Sequence, residues 1–102
     1  MDPGKLKYRV TIQIEQRAPD DLGGYAKTWG DVATVWGNVR PLRSDRALEH
    51  GALTGRTLYA VDIRYRPGLR QGMRVLWENR VLKVQGVTDL RPYLELLCEE
   101  DS

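Results

Sequence analysis

The residues able to do chemistry are few. Among 102 residues there is one histidine, His50, and one cysteine, Cys98. A zinc centre takes three or four such ligands, and an activated nucleophile needs an oriented base beside it. His50 has no Asp, Cys or Ser placed near it in a nucleophile arrangement, so nothing would orient it for acid–base work. Cys98 alternates with Leu94 and Leu96 and reads as a small buried hydrophobe. Glu99, Glu100 and Asp101 are consecutive, and successive strand residues point to opposite faces, which spoils a cation site. They read instead as a solvated tail or as partners for arginine on a neighbouring molecule. Gly23-Gly24 lacks the Lys-Ser/Thr pair and the following helix of a phosphate loop, and reads as a turn. No enzyme activity, cofactor or metal is expected.

What remains is charge and aromatic surface. The net charge is only +2, but it is unevenly spread. Residues 1–39 balance to zero, residues 40–80 carry nine arginines against four acids, and residues 81–102 carry five acids against two bases. The basic groups of the middle segment are all arginine, whose planar guanidinium suits bidentate contact with carboxylate or phosphate. Such a surface faces a nucleic-acid backbone or an acidic partner, or is a solvated strand face. An acidic end and a basic middle also suit head-to-tail assembly of copies. Trp29, Trp36 and Trp77 are candidates for base stacking, core packing or a subunit anchor. Trp77 is expected in the core; Trp36 stands open between core and interface.

Length and composition set bounds. One hundred and two residues, 41% hydrophobic and 29% charged, describe one ordered domain, residues 1–102. No run approaches the roughly 18 apolar residues of a membrane span, so no membrane partner is expected. Residues 1–5 lack the apolar stretch of a secretory signal. A lone cysteine cannot form an internal disulfide and fits a reducing compartment or no redox constraint.

Period-two patterning positions these residues. Tyr8, Val10, Ile12 and Ile14 alternate with polar partners, predicting a half-buried strand. Residues 17–24 are rich in breakers and predict a loop or long hairpin tip. Residues 29–40 predict a second strand, with Ala33, Val35, Gly37 and Val39 on one face and Val32, Thr34 and Trp36 on the other. Pro41 ends it. Ser44, Asp45 and the helix formers after them predict a helix of about two turns, too short to stand alone in water. Further strands follow over residues 57–66, 73–77, 80–87 and 93–99, with Glu78-Asn79 a tight turn and Gly86 a bulge or bend. Six short strands with one brief helix make an all-β antiparallel barrel or sandwich, with a long excursion at residues 42–56.

The ordered set of segments resembles a known family. It runs from Gly4-Lys5-Leu6 and Arg9-Val10-Thr11-Ile12-Gln13 through Asp21-Leu22-Gly23-Gly24 and Val35-Trp36-Gly37-Asn38-Val39-Arg40-Pro41-Leu42. It continues with Ile63-Arg64-Tyr65-Arg66, Met73-Arg74-Val75, Arg80-Val81-Leu82, Val87-Thr88-Asp89 and Leu94-Glu95-Leu96-Leu97-Cys98. This order resembles the bacteriophage head-tail joining proteins, also called head-closure or stopper proteins, found too in gene transfer agents. Members often open the third strand with Thr-His, where this chain has Thr57-Leu58.

The resemblance implies a small β-barrel of about six strands, with one short helix in the loop between strands 2 and 3. It implies a homo-oligomeric ring, commonly a dodecamer, in the neck of a virion or phage-like particle assembled in the bacterial host cytoplasm. A portal or adaptor protein would lie on one side and a tail or tail-terminator protein on the other, with double-stranded DNA passing through the lumen. The ring would close the DNA channel after packaging and give the tail its docking surface. In relatives the loop between strands 2 and 3 points into the channel; here Ser44, Asp45, Leu48, His50 and Leu53 would form that gate. Arg40, Arg43, Arg46 and Arg56 would flank or line the lumen, with non-specific, salt-sensitive contacts to phosphate. Trp36, Glu99 and Glu100 would lie at the subunit interface. The alternative is a free-standing nucleic-acid-binding β-barrel.

Overall fold

The computed structural model describes residues 6–42 and 57–100. Within them the chain forms β1 (Tyr8–Pro19), β2 (Tyr25–Pro41), β3 (Thr57–Arg64), β4 (Arg74–Trp77), β5 (Arg80–Leu90) and β6 (Tyr93–Glu100). All pairings are antiparallel, in the order β1-β2-β3-β6-β5-β4. Thr11, Ile12 and Gln13 of β1 pair with Leu76, Val75 and Arg74 of β4, which closes the sheet into a barrel. The short helix expected within residues 42–56 falls on positions outside the described residues.

Alternation places the core. Val10 and Ile12, Val39, Tyr59, Val61 and Ile63, Val75, Leu82 and Val84, and Leu94, Leu96 and Cys98 all point inward and pack together. Burying such a side chain contributes about 1.5–3 kcal/mol, so this lining is what holds the barrel closed. Cys98 is fully buried among these residues. β3 is buried on both faces, since Leu58, Ala60 and Asp62 are shielded as well as its inward residues. Gly37 permits the close approach of β1, β2 and β3: a Cβ there would lie 3.0 Å from the Asp62 carbonyl oxygen.

Two short connections are tight. Glu78 and Asn79 both have positive φ, the backbone needed by a two-residue hairpin turn between Trp77 and Arg80. β5 joins β6 through Arg91-Pro92, whose peptide bond is cis. The β5–β6 register shifts between Val84 and Gly86, where the glycine marks a bulge.

The first hairpin is longer than the sequence pattern predicts. β1 continues to Pro19 and β2 begins at Tyr25, so the expected hairpin tip narrows to residues 20–24, and residues 17–19 and 25–28 are paired strand. Beyond Gln13 these strands pair only with each other, over six rungs from Ile14↔Gly30 to Pro19↔Tyr25. This two-stranded arm is roughly 20 Å long at the usual rise per residue. Its residues are mostly solvated on both faces, so no apolar alternation marks it. Backbone pairing carries it outward, with an exposed Lys27–Glu15 ion pair across the two strands.

Candidate functional site

The barrel has two unlike poles. At one, Leu42 N–H donates to the Leu58 carbonyl at 2.9 Å, so the end of β2 and the start of β3 are held together there. Around that junction stand Tyr59, Trp77, Arg80 and Glu100. The Arg80 guanidinium donates to the Tyr59 hydroxyl at 2.8 Å, and that hydroxyl donates to the Glu100 carboxylate at 3.3 Å. Trp77 meets Tyr8 and Tyr59 edge to face, at 5.6 and 5.9 Å between ring centres. It packs against the core, as alternation predicts for it.

The arm leaves the opposite pole. Its base is fixed by Gln13, whose side-chain amide donates to Asp31 Oδ1 at 2.6 Å and accepts from Arg74 Nε at 2.6 Å. Arg74 in turn stacks on Trp29 at 4.2 Å, tying the arm toward β4. At the tip, Asp20 Oδ1 accepts from the Leu22 and Gly24 amides, both at 2.9 Å, and fixes the turn. Leu22 is 94% exposed and Tyr25 72% exposed beside it.

On the β1–β2–β3 wall a cavity of about 280 Å³ is lined by Arg9, Trp36, Arg64, Tyr65 and Arg66, with no carboxylate among the described residues of its walls. Trp36 is half exposed, and the Arg9 guanidinium lies 4.9 Å from its ring centre. Arg66 Nε is shut from solvent with no hydrogen-bond partner. Arg91 covers the outer ring face of Tyr65 at 4.2 Å and pairs with Asp89 at 3.1 Å. The cavity draws on residues 9, 36 and 64–66, from three strands; only the Arg64-Tyr65-Arg66 triplet is a visible sequence signal for it.

The sequence-predicted residues fall in different places. Arg40 lies on the outer wall, its Nε 3.0 Å from Asp62 Oδ2 and its Nη2 3.0 Å from Glu95 Oε2. The Asp62 hydrogen bond, more than any other influence, pushes the guanidinium pKa still higher. With two carboxylates around it, this arginine presents no unmatched positive charge. Trp36 faces outward rather than into the core. Glu100 is engaged by Tyr59 and Arg80, and Glu99 sits opposite Leu58 and Lys83 in the sheet register. Arg43, Arg46 and Arg56, with Ser44, Asp45, Leu48, His50 and Leu53, lie outside the described residues. Among the described residues no cluster of metal-ligating side chains forms.

The comparisons with known proteins agree with one another. A family model described as phage head completion protein matches residues 1–101. A Shigella flexneri 2a protein solved in solution is 32% identical with a TM-score of 0.79, the match covering 100% of this chain and 98% of that one. A chain from the virion of a native gene transfer agent particle is 18% identical with a TM-score of 0.63, covering 92% of this chain and 93% of the other. The XkdH protein of the phage-like element PBSX of Bacillus subtilis is 10% identical with a TM-score of 0.52, again over 92% and 93%. These last two likenesses are of fold. No curated protein sequence matches the chain.

Proposed function

The chain belongs to the phage head completion protein family, a structural component of the virion or phage-like particle, and from that premise we propose that it forms a ring at the head–tail junction. In this reading the ring, of twelve copies as is common in such necks, closes the DNA channel after packaging and presents a docking surface to the tail. Portal or adaptor lies on one side and tail or tail-terminator on the other. Residues 42–56 form the gate, and Arg43, Arg46 and Arg56 supply its salt-sensitive contacts with DNA phosphate. Arg40 stands at the root of the gate as a wall residue matched by Asp62 and Glu95 rather than as a DNA contact.

The observation that carries the reading is the common root of the excursion at Leu42 and Leu58. A segment hinged at one point on a closed, rigid barrel can swing across a lumen without disturbing the core. Low local stability is what such rearranging elements require. The arm at the other pole leaves a separate surface for neighbours.

Cryo-electron microscopy of particles made with and without the gene tests this. A ring of this chain at the neck is expected, and its deletion should leave filled heads that lose DNA and lack tails. Filled heads joined stably to tails in its absence would overturn the reading.

A further inference from the structure

Among the described residues the Arg-rich cavity has no acid of its own. Arg64 and Arg66 form no ion pair with any of the described residues, and Arg9 lies over the Trp36 ring. Buried or half-buried guanidinium groups are normally matched, so an unpaired Arg66 Nε inside a wall calls for a partner. Glu99 and Glu100 are not available to it, because Glu100 is held by Tyr59 and Arg80 and Glu99 is also engaged. Among the described residues two carboxylates have no partner, Asp21 and Glu78. Glu78 sits in a two-residue turn, too short to enter a cavity. Asp21 stands at the end of the arm, next to the exposed Leu22 and Tyr25.

We infer that the arm tip of one copy, Asp21 and Leu22, docks into the Arg9–Trp36–Arg64–Arg66 cavity of the next copy. This inference rests on the ring reading and specifies the contact that builds it. Asp21 would meet Arg64 and Arg66, and Leu22 would cover the Trp36 ring, so charge and apolar surface both find complements. The turn is held in shape by Asp20 before docking, which lowers the ordering cost. Arm and cavity are different patches, since Arg74 ties the arm toward β4 while the cavity opens on the β1–β2–β3 wall. Such a contact is heterologous and propagates head to tail until it closes. At about 280 Å³ the cavity is at the small end of ligand sites and accepts one or two side chains. A rigid duplex, which presents its phosphates on a convex edge, does not enter it.

The test is sedimentation velocity of the purified full chain as Asp21→Arg, as Arg64→Asp, and as an equimolar mixture of the two. Each variant alone should self-associate roughly tenfold more weakly, as expected for reversing one charge of a close interfacial pair. The mixture should regain wild-type association, because each altered arm then finds an altered cavity and each native arm a native one. Leu22→Ser, at a position without core contacts, should also weaken association, and it serves if Arg64→Asp fails to fold. A mixture as weak as its parts, or association indifferent to both variants, overturns the inference. So does duplex DNA binding that Arg64→Asp abolishes while association stays intact, which assigns the cavity to nucleic acid. A wild-type chain that remains monomeric in solution yet forms a ring at the particle neck overturns this contact and spares the ring. Absence of the chain from the neck removes both.

Discussion

Arg40 on β2 and Asp62 on β3 meet on the outer wall of the barrel, with Nε 3.0 Å from Oδ2 and Nη2 3.4 Å from Oδ1. Asp62 is only 3% exposed, and Arg40 also reaches Glu95 on β6 at 3.0 Å. One guanidinium thus links three adjacent strands beside the root of the excursion.

Removing that link should destabilise the barrel. Arg40→Ala leaves a buried carboxylate without its cation, which costs about 3–5 kcal/mol in a fully enclosed pair. The Arg40 side chain is 42% exposed, so water screens the pair and about 2 kcal/mol is the expected loss. Urea denaturation measures it. Arg40→Ala with Asp62→Asn should recover part of the loss, since the stranded charge is gone; no recovery would show that packing of the arginine stem matters more.

Cys98 predicts a specific alkaline weakness. Burial pushes its thiol pKa up from 9.0 to about 12, so the folded chain keeps a proton that the unfolded chain gives up. Between pH 9 and 12 the native state therefore binds more protons, and stability falls with rising pH by up to about 1.4 kcal/mol per unit. Below pH 9 this contribution does not vary with pH. The wild-type minus Cys98→Val difference in unfolding free energy, followed from pH 8 to 10, should fall above pH 9. A flat difference would show that the thiol is open to water.

Two glycines should respond oppositely to alanine. At Gly37 a Cβ would stand 3.0 Å from the Asp62 carbonyl oxygen and 3.2 Å from Ile63 Cγ2, so backbone must shift. Gly37→Ala should cost about 1–3 kcal/mol, as overpacking does. At Gly86 nothing lies within 4 Å and φ is not positive, so Gly86→Ala should stabilise by about 0.4–1 kcal/mol through the unfolded chain. Thermal unfolding of both variants checks the pair.

The tryptophans should separate in the same way. Trp77→Ala removes a ring held by Tyr8 and Tyr59 and should cost about 3–5 kcal/mol. Trp36→Ala removes a half-exposed ring that Arg9 covers, and should cost about 0.5–1 kcal/mol. Denaturation followed by circular dichroism, rather than by the altered fluorescence, gives both values.

Sequence alone determined the strands that have a wet and a dry side. Val10 and Ile12, Val61 and Ile63, and Leu94, Leu96 and Cys98 announce themselves because a pleated chain that buries one face must alternate. Glu78-Asn79 and Gly86 were legible for a related reason, since few residues suit a tight turn or a bulge. A hairpin tip was legible in the breakers of residues 17–24, but the length of the arm beneath it was not: residues 14–19 and 25–30 pair through their backbones with little apolar burial on either face, so period two has nothing to act on. Nor could the sequence decide what Arg40 faces, because Asp62 and Glu95 come to it only when β2, β3 and β6 lie side by side. The cavity of Arg9, Trp36, Arg64 and Arg66 likewise exists only across three strands. Local pattern fixes which way a side chain points; closure of the sheet fixes whom it meets.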